Sequence, residues 1–485
     1  MSKFVAGIKH ASNQLPTYVT GTAFESDGVG TSPLICSSSD FVPGHPIQHL
    51  APEILGEIFI RCLPYPSNLT SFKDAPLLLL HVCRHWRQTA RWTPHLWTDL
   101  NLTLKIKFPP ARVFQMWLDN AGTLLLQVSL PGYTRDPKQA EEVIELLLDN
   151  FHRISELKGT LTPWFSTILL RHALPIRAPS LRRLNVSGWD KLPSQSDLER
   201  LRKCMIVPQL EVCNLNSLRF QLSLLSLDPA RLRELCGLWV IEVAEFESME
   251  ILTSLSSLQR LSVFLHSPLD VSVLKIPSII PIPSLRHLQI STFTEYDPNV
   301  FLKELDVAFV EHLEIYSGDS SLGSLLDTLT GGKIFPLKSL TLIGYNITAS
   351  EWLPWFRKFM QLEKLTLGRG TIDVETLISL TTDSSSSPTL WICPVLSTLH
   401  LRGLEFSWEA MADLILSRAP TGDGGGHLGK VIFGASKGLK ESDRAAFTMI
   451  QEGSRGLIEI EFIPEASNYY TCLLSSHLLR VDKSV

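Results

Sequence analysis

The sequence predicts an α/β chain: a module of three helices at residues 46–99, then, over 100–480, a curved solenoid with a parallel sheet on one face and helices on the other. Three observations predict it. The apolar period changes from that of a helix to that of a strand at Leu100, where Leu100, Leu102, Leu104 and Ile106 alternate with Asn101, Thr103, Lys105 and Lys107. A motif, L-x-x-L-x-L, then recurs along most of the remaining chain. Stretches of helical character separate its copies.

Composition narrows the function classes. With 485 residues and 44% hydrophobic content the chain is globular and has ample core. No apolar run reaches the ~20 residues of a membrane span, and the first residues lack the basic and apolar regions of a secretory signal. A net charge of −5 argues against a nucleic-acid-binding surface. Eight cysteines without a C-x-x-C pair read as reduced, buried residues of an intracellular protein, cytoplasmic or nuclear. Without a signal, the N-x-S/T sequons at Asn68, Asn101, Asn185 and Asn346 carry no meaning.

Residues 1–45, rich in Ser, Thr, Gly and Pro and without a period, are expected to form a flexible N-terminal arm. In the first helix Leu50, Ile54, Ile58 and Cys62 repeat every four residues, beside a second stripe of Leu55, Phe59 and Leu63. Pro52 suits the first turn, and Glu53 the positive end of the helix dipole. So wide an apolar face is either deeply buried or shared between a core and a partner. Pro64 and Pro66 stop the helix, and a loop leads to Asp74, expected to cap the second. There Leu79, Cys83, Trp86 and Ala90 mark one face, and Arg84, Arg87 and Arg91 another. Thr93-Pro94 breaks it, and the turn Pro94–Trp97 brings Leu96 and Trp97 inward.

These residues resemble an F-box. "LAPEILGEIFIRCL", "VCRHWRQTA" and a closing "LW" match the ordered pattern of that family at Leu50, Pro52, Glu53, Ile54, Leu55, Ile58, Phe59, Val82, Cys83, Trp86, Arg87, Leu96 and Trp97. Ala51 stands where the family often has Pro, and the loop from Pro64 to Asp74 is long, as in the F-box-like variant abundant in fungi. The resemblance covers about 50 residues. It implies binding to the Skp-type adaptor of cullin-based SCF ubiquitin ligases through Leu50, Pro52, Ile54, Leu55, Ile58, Phe59, Val82, Cys83, Trp86, Leu96 and Trp97.

Segment 100–150 reads as strand, helix, strand, helix and leads into the repeats. Copies of L-x-x-L-x-L start at 181, 210, 258, 285, 310, 337, 362 and 396, with weaker copies at Ile154 and Leu232, where Gly replaces the third apolar residue. Successive starts lie 27, 29, 22, 26, 27, 25, 27, 25 and 34 residues apart, the longest step holding the loop "DSSSSP". Helical stretches such as "LPSQSDLERLRKC", "PNVFLKELDVAFV", "SEWLPWFRKFM", "DVETLISLTT" and "SWEAMADLILSRA" lie between them, and "LIEIEF" at 457–462 suits a last strand. One strand and one helix per unit resembles a leucine-rich repeat, irregularly. The usual asparagine after the strand is replaced by Trp189, Leu218 and Phe293, so its ladder is absent.

Apolar positions of the motif point inward, and those between them outward, in columns along the sheet. The outward set includes Arg183, Asn185, Asn214, Ser262, Thr366 and Arg402. Its candidate target-binding members are Arg260, His287, Gln289, His312, Glu314, Tyr316, Lys364 and His400, mixed in charge, as suits a protein or peptide. The competing reading of this face is a solvated sheet surface.

Other motifs are weaker. "GGGHLGK" (424–430) fits a phosphate-loop pattern on paper, but Val431 opens an apolar stretch where a helix should start, so a flexible surface loop is preferred. His81 and His85 have zinc-compatible spacing without a third ligand. The three arginines read as a solvated face. Trp86 and Trp97 read as packing residues, and Trp92 stays open. No catalytic constellation, cofactor or metal site emerges. The expectation is a substrate-recognition adaptor of an SCF-type ligase, not an enzyme, whose partners are a Skp-type adaptor, through it a cullin, and an unknown protein target, with no nucleic acid and no membrane. The alternative is a leucine-rich-repeat interaction scaffold without a ligase role.

Overall fold

The computed structural model describes residues 46–463, apart from 65–72, 103–108, 132–135, 161–174 (two isolated positions excepted), 188–204, 217–224, 241–251, 266–279, 293–304, 307, 317–335, 345–347, 382–391, 420–426, 435–440 and 454–456. The expected arm at 1–45 and the helical stretch at 192–204 lie outside the described residues; in the expected helical stretch 298–310, Leu305–Asp306 instead form a short strand paired with Ile280–Pro281, and 298–304 lie outside the described residues. The chain forms two compact units, the first running to Arg183 and including 193–200 and 204–207, the second comprising the rest.

The first unit opens with helix α1 (Pro52–Arg61), which starts at Pro52 as the sequence predicts. The second predicted helix is broken in two, α2 (Leu79–Val82) and α3 (Arg84–Arg91). Cys83 adopts an extended conformation between them, and its Sγ accepts the Trp86 N–H at 3.4 Å, so the expected face-forming cysteine is an N-cap. Asp74 does not cap this helix: its backbone carbonyl accepts the Leu78 N–H in a preceding turn. A 3₁₀ turn at Pro94–Trp97 follows, then strand β1 (Asp99–Asn101), helix α4 (Ala111–Ala121), β2 (Leu126–Leu130), α5 (Pro137–Asp149) and β3 (Ile154–Thr160). That is the predicted strand–helix order, and β1, β2 and β3 pair in parallel. Asn101 and Leu102 are both buried, so strict alternation does not extend through the strand end.

The second unit carries the repeats. β4 (Arg183–Ser187) lies at its start and is followed by β5 (Val212–Asn216), β6 (Glu234–Val240), β7 (Arg260–Leu265), β8 (His287–Thr292), β9 (His312–Tyr316), β10 (Ser339–Ile343), β11 (Lys364–Gly368), β12 (Thr398–Arg402), β13 (Lys430–Gly434) and β14 (Glu459–Ile463). From β5 on, each lies beside its predecessor in a large parallel sheet, as in a leucine-rich-repeat-like solenoid. Helices α6 (Ala349–Phe356), α7 (Val374–Leu380), α8 (Trp408–Ser417) and α9 (Glu441–Gly453) connect the later strands. Asp373 and Ser407 cap α7 and α8 by accepting the Thr376 and Ala410 N–H groups.

The motif leucines make the core. Leu181, Leu210, Leu232, Leu258, Leu285, Leu337, Leu362 and Leu396 are at most 2% exposed, as are Leu261, Leu288, Leu313, Leu340, Leu365 and Leu399 within the strands. Each contributes about 1.5–3 kcal/mol of burial free energy. In the weak copy at Leu232, Gly237 has φ +74° and the register shifts there, so a bulge lets Leu238 pair with Val263 in place of the missing apolar residue.

Register between repeats has a backbone basis. The carbonyl of the residue just before a strand accepts two successive N–H groups at the entry of the next. Arg286 takes those of Glu311 and His312, both at 2.9 Å, and Lys338 those of Glu363 and Lys364 at 2.8 and 2.9 Å. Glu211, Arg233, Gln259, Glu311, Glu363 and Ser397 do the same. No asparagine side chain is required for this link.

Candidate protein-binding surfaces

The helical module of the first unit divides its apolar residues in two. Leu55, Phe59, Leu77, Leu79, Trp86, Ala90, Leu96 and Trp97 are buried. Phe59 meets Trp86 with ring centroids 4.9 Å apart, and the Trp97 Nε1–H donates to the Ala90 carbonyl at 2.8 Å. A Cβ on Gly56 would come within 2.8 Å of Thr93 Oγ1, so this glycine permits the close approach of α1 to the end of α3. Of the predicted adaptor-binding set, Leu55, Phe59, Trp86, Leu96 and Trp97 therefore form the interior. Ile54 (55% exposed) and Val82 (47%) face solvent with Pro52, while Leu50, Ile58 and Cys83 are half-buried. Ile54 and Ile58, four apart, share a helix face.

Trp97 also packs edge-on against Trp117 of α4, with centroids 5.0 Å apart and planes at 83°, and both rings are buried. The module and the first strand–helix pair thus share one core. Trp92 is 74% exposed, His85 is half-buried with Nε2 unpartnered, and Arg87 Nε donates to the Leu80 carbonyl at 2.7 Å. Among the described residues no group of three or more His, Cys, Asp or Glu side chains is placed to hold a metal ion.

In the second unit the predicted target-binding residues other than Tyr316, which pairs with Ser291 and Ile343, fall into two in-register rows on the open face of the sheet. Arg260, His287, His312, Ser339 and Lys364 are successive partners in one row. Gln289, Glu314, Thr341, Thr366 and His400 are successive partners in the next. The imidazoles of His287 and His312 stack with centroids 4.1 Å apart and planes within 3°. Burial and the neighbouring His312 and Arg260 charges pull the His287 pKa down to about 4; burial lowers that of His312 as well. Both rings are thus held neutral near pH 7. Tyr316 donates its hydroxyl to Glu314 Oε2 at 2.8 Å. His400, 5% exposed, is the most enclosed of the set.

Neither a family model nor a curated protein matches this chain. A solved structure is similar to it. It is a chain from the crystal structure of the Rad7 and Elc1 complex in yeast, 15% identical, with 83% of this chain and 85% of that one covered at a TM-score of 0.38.

Two parts of the surface escaped sequence reasoning. The motif copy starting at 337 predicts the strand Ser339–Ile343, but its outward residues Ser339 and Thr341, which belong to the two rows, were not counted among the surface residues. Strand β13 is a further repeat, with Leu428, Val431 and Phe433 in the apolar positions. Its Lys430 opens a strand and meets Glu459 and Glu461 at 3.0 and 3.1 Å, an arrangement unlike a phosphate loop. Gly424–Gly426 lie outside the described residues.

Proposed function

We propose that this chain is a substrate-recognition adaptor of an SCF-type ubiquitin ligase: the F-box-like module at 46–99 binds a Skp-type adaptor, and through it a cullin, while the repeats over 100–480 hold a protein target. The reading is supported by Ile54 and Val82, motif positions left in solvent on a module in which Leu55, Phe59, Trp86, Leu96 and Trp97 already form a closed interior. Exposed apolar side chains over a packed support suit a protein contact. In this role the chain performs no bond chemistry; it raises the effective concentration of a target beside a ubiquitin-charged enzyme, inside the cell.

The packing of Trp97 on Trp117 favours a second reading, in which the module is the N-terminal cap of a repeat scaffold without a ligase role. One experiment separates the two. Because Ile54 and Val82 are exposed, the double variant Ile54→Asp, Val82→Asp leaves the module's interior intact. The proposal expects co-purification of a Skp-type adaptor with the wild-type chain and its loss with the variant, each anchor contributing about 2 kcal/mol or more. Equal recovery with both chains, or no recovery with either, refutes the ligase reading and leaves the cap.

A further inference from the structure

The row of the open face that runs from Arg260 to Lys364 has a gap in it. His287 and His312 stack with their planes within 3°, so the stacking axis runs along the row, from strand to strand. The next position in register is Ser339, and the one after it Lys364. Serine is too short to continue the stack. The second face of His312 therefore looks along the row, over Ser339, toward Lys364, which is exposed. His312 and Lys364 belong to strands two spacings apart, about 9.5 Å. A planar ring set between them lies about 5 Å from each, within the range of both ring stacking and cation–π attraction.

The charged groups around the gap leave room for a neutral occupant. Glu314, in register with Thr341 in the adjoining row, accepts the Tyr316 hydroxyl. Glu311, at the entry of β9, meets Lys338 at 2.7 Å and Arg286 at 3.6 Å, and Glu363, at the entry of β11, acts on Lys338. The imidazole pair is neutral near pH 7, so His312 offers an uncharged π face on one side of the gap and Lys364 a cation on the other. A third imidazole of the open face, His400, is closed to such a contact. It is 5% exposed, burial and the Arg402 and Lys364 charges hold its pKa at about 4, and its Nε2 accepts the Arg402 Nε–H at 2.9 Å.

We propose that the gap over Ser339 takes an aromatic side chain of the target protein, stacked on His312 through one face and met by the Lys364 ammonium on the other. The proposal rests on the reading of the open face as the surface that meets the target, and adds the chemistry of one contact. Charge complementarity selects the occupant: the negative face of an aromatic ring suits the cation, and its positive edge suits a carboxylate such as Glu314 in the adjoining row. A guanidinium stacks equally well but stands against the like charge of Lys364. An aliphatic side chain gains nothing from the cation. A nucleobase has the shape of the occupant, but its phosphates would meet a chain of net charge −5.

The test uses the full chain and saturation-transfer NMR titrations with N-acetyltryptophanamide and N-acetyltyrosinamide, against N-acetylleucinamide, N-acetylargininamide and adenosine. Aromatic contacts elsewhere on the surface are common to all variants, so the quantity read is the part of the signal that Ser339→Tyr removes by filling the gap with a ring of the chain's own. That part is expected for the two aromatic amides alone. His312→Ala abolishes it, His312→Phe, which keeps a ring, retains it, and Lys364→Gln weakens it about two- to fivefold. Thermal melting checks that each variant keeps its fold. No Ser339-dependent signal, an equal one with the leucine or arginine amide, or no effect of Lys364→Gln, an exposed site where folding is not at stake, overturns the proposal. An equal signal with adenosine overturns a protein side chain as the occupant. Solenoid-dependent partners lost on Glu314→Lys, Tyr316→Ala but kept on Ser339→Tyr would overturn the gap as a target contact and leave the face standing; partners kept by both variants would overturn the face as well.

Discussion

Lowering the pH should destabilise the chain through His400, and the effect can be isolated. The folded-state pKa is about 4, against an ordinary value of 6.5. The unfolded imidazole takes its proton near pH 6.5 and the folded one only near 4, so between these values the unfolded state holds more protons. Stability is therefore fully present above pH 6.5 and falls as the pH falls toward 4. At ~1.4 kcal/mol per pKa unit the full depression is worth about 3 kcal/mol; screening by solvent reduces it to roughly 1–2 kcal/mol. The perturbation is His400→Gln, which keeps an acceptor for Arg402 Nε and removes the titration. The assay is urea unfolding of both chains from neutral pH to about pH 5, each pH supplying a difference in unfolding free energy. Other titrating groups are common to both chains and cancel. The wild type should lose about 1 kcal/mol more than the variant over that interval. Parallel pH profiles for the two chains would refute the assignment of a neutral, enclosed imidazole at this position.

Two further outcomes follow from enclosed groups. Arg418, 2% exposed, donates to the carbonyls of Leu380, Ile392 and Cys393, at 2.6 Å for Leu380 and 2.9 Å for Cys393; Arg418→Met should destabilise by roughly 3–5 kcal/mol, measured as a lowered melting temperature, with Arg418→Lys intermediate. Burial pushes the thiol of Cys213 up beyond the usual range, that of Cys393 to about 12 and that of Cys236 to about 11, so iodoacetamide at neutral pH should leave all three unmodified until denaturant is added, as read by mass spectrometry.

The repeat strands were legible because their signal is local: two leucines and a third apolar residue at fixed spacing place a strand wherever they occur. The rows of the open face followed from the same motif once its copies were aligned. The helix break at Cys83 was not legible, because a cysteine sulfur acting as a cap leaves the helical spacing of Leu79, Trp86 and Ala90 undisturbed. Arg418 was invisible for a different reason. It looks like an ordinary basic residue at a helix end, and its partners are backbone carbonyls 25 to 38 residues earlier, which carry no side-chain signature. At Lys430 the phosphate-loop pattern fits only on paper and a surface loop is the preferred reading; the apolar spacing of Leu428, Val431 and Phe433, which marks a repeat strand, was the overlooked signal. In the module, spacing named the apolar residues without separating Ile54 from Leu55. That division depends on where α3 and Trp97 pack.

The doubly accepting carbonyls at the strand entries have a consequence for how such a chain can change. They act as a spacing rule written in atoms that nearly every residue type possesses. A side-chain ladder would fix one residue type in every unit and tie the identity of the surface to the integrity of the stack. Here the two are uncoupled. Arg286 and Lys338 set the interval between neighbouring units through their carbonyl oxygens, while their side chains meet Glu311 in an exposed ion pair that does not enter the rule. Mutation can therefore rewrite what the open face offers, position by position, while the pitch at which it is offered stays constant.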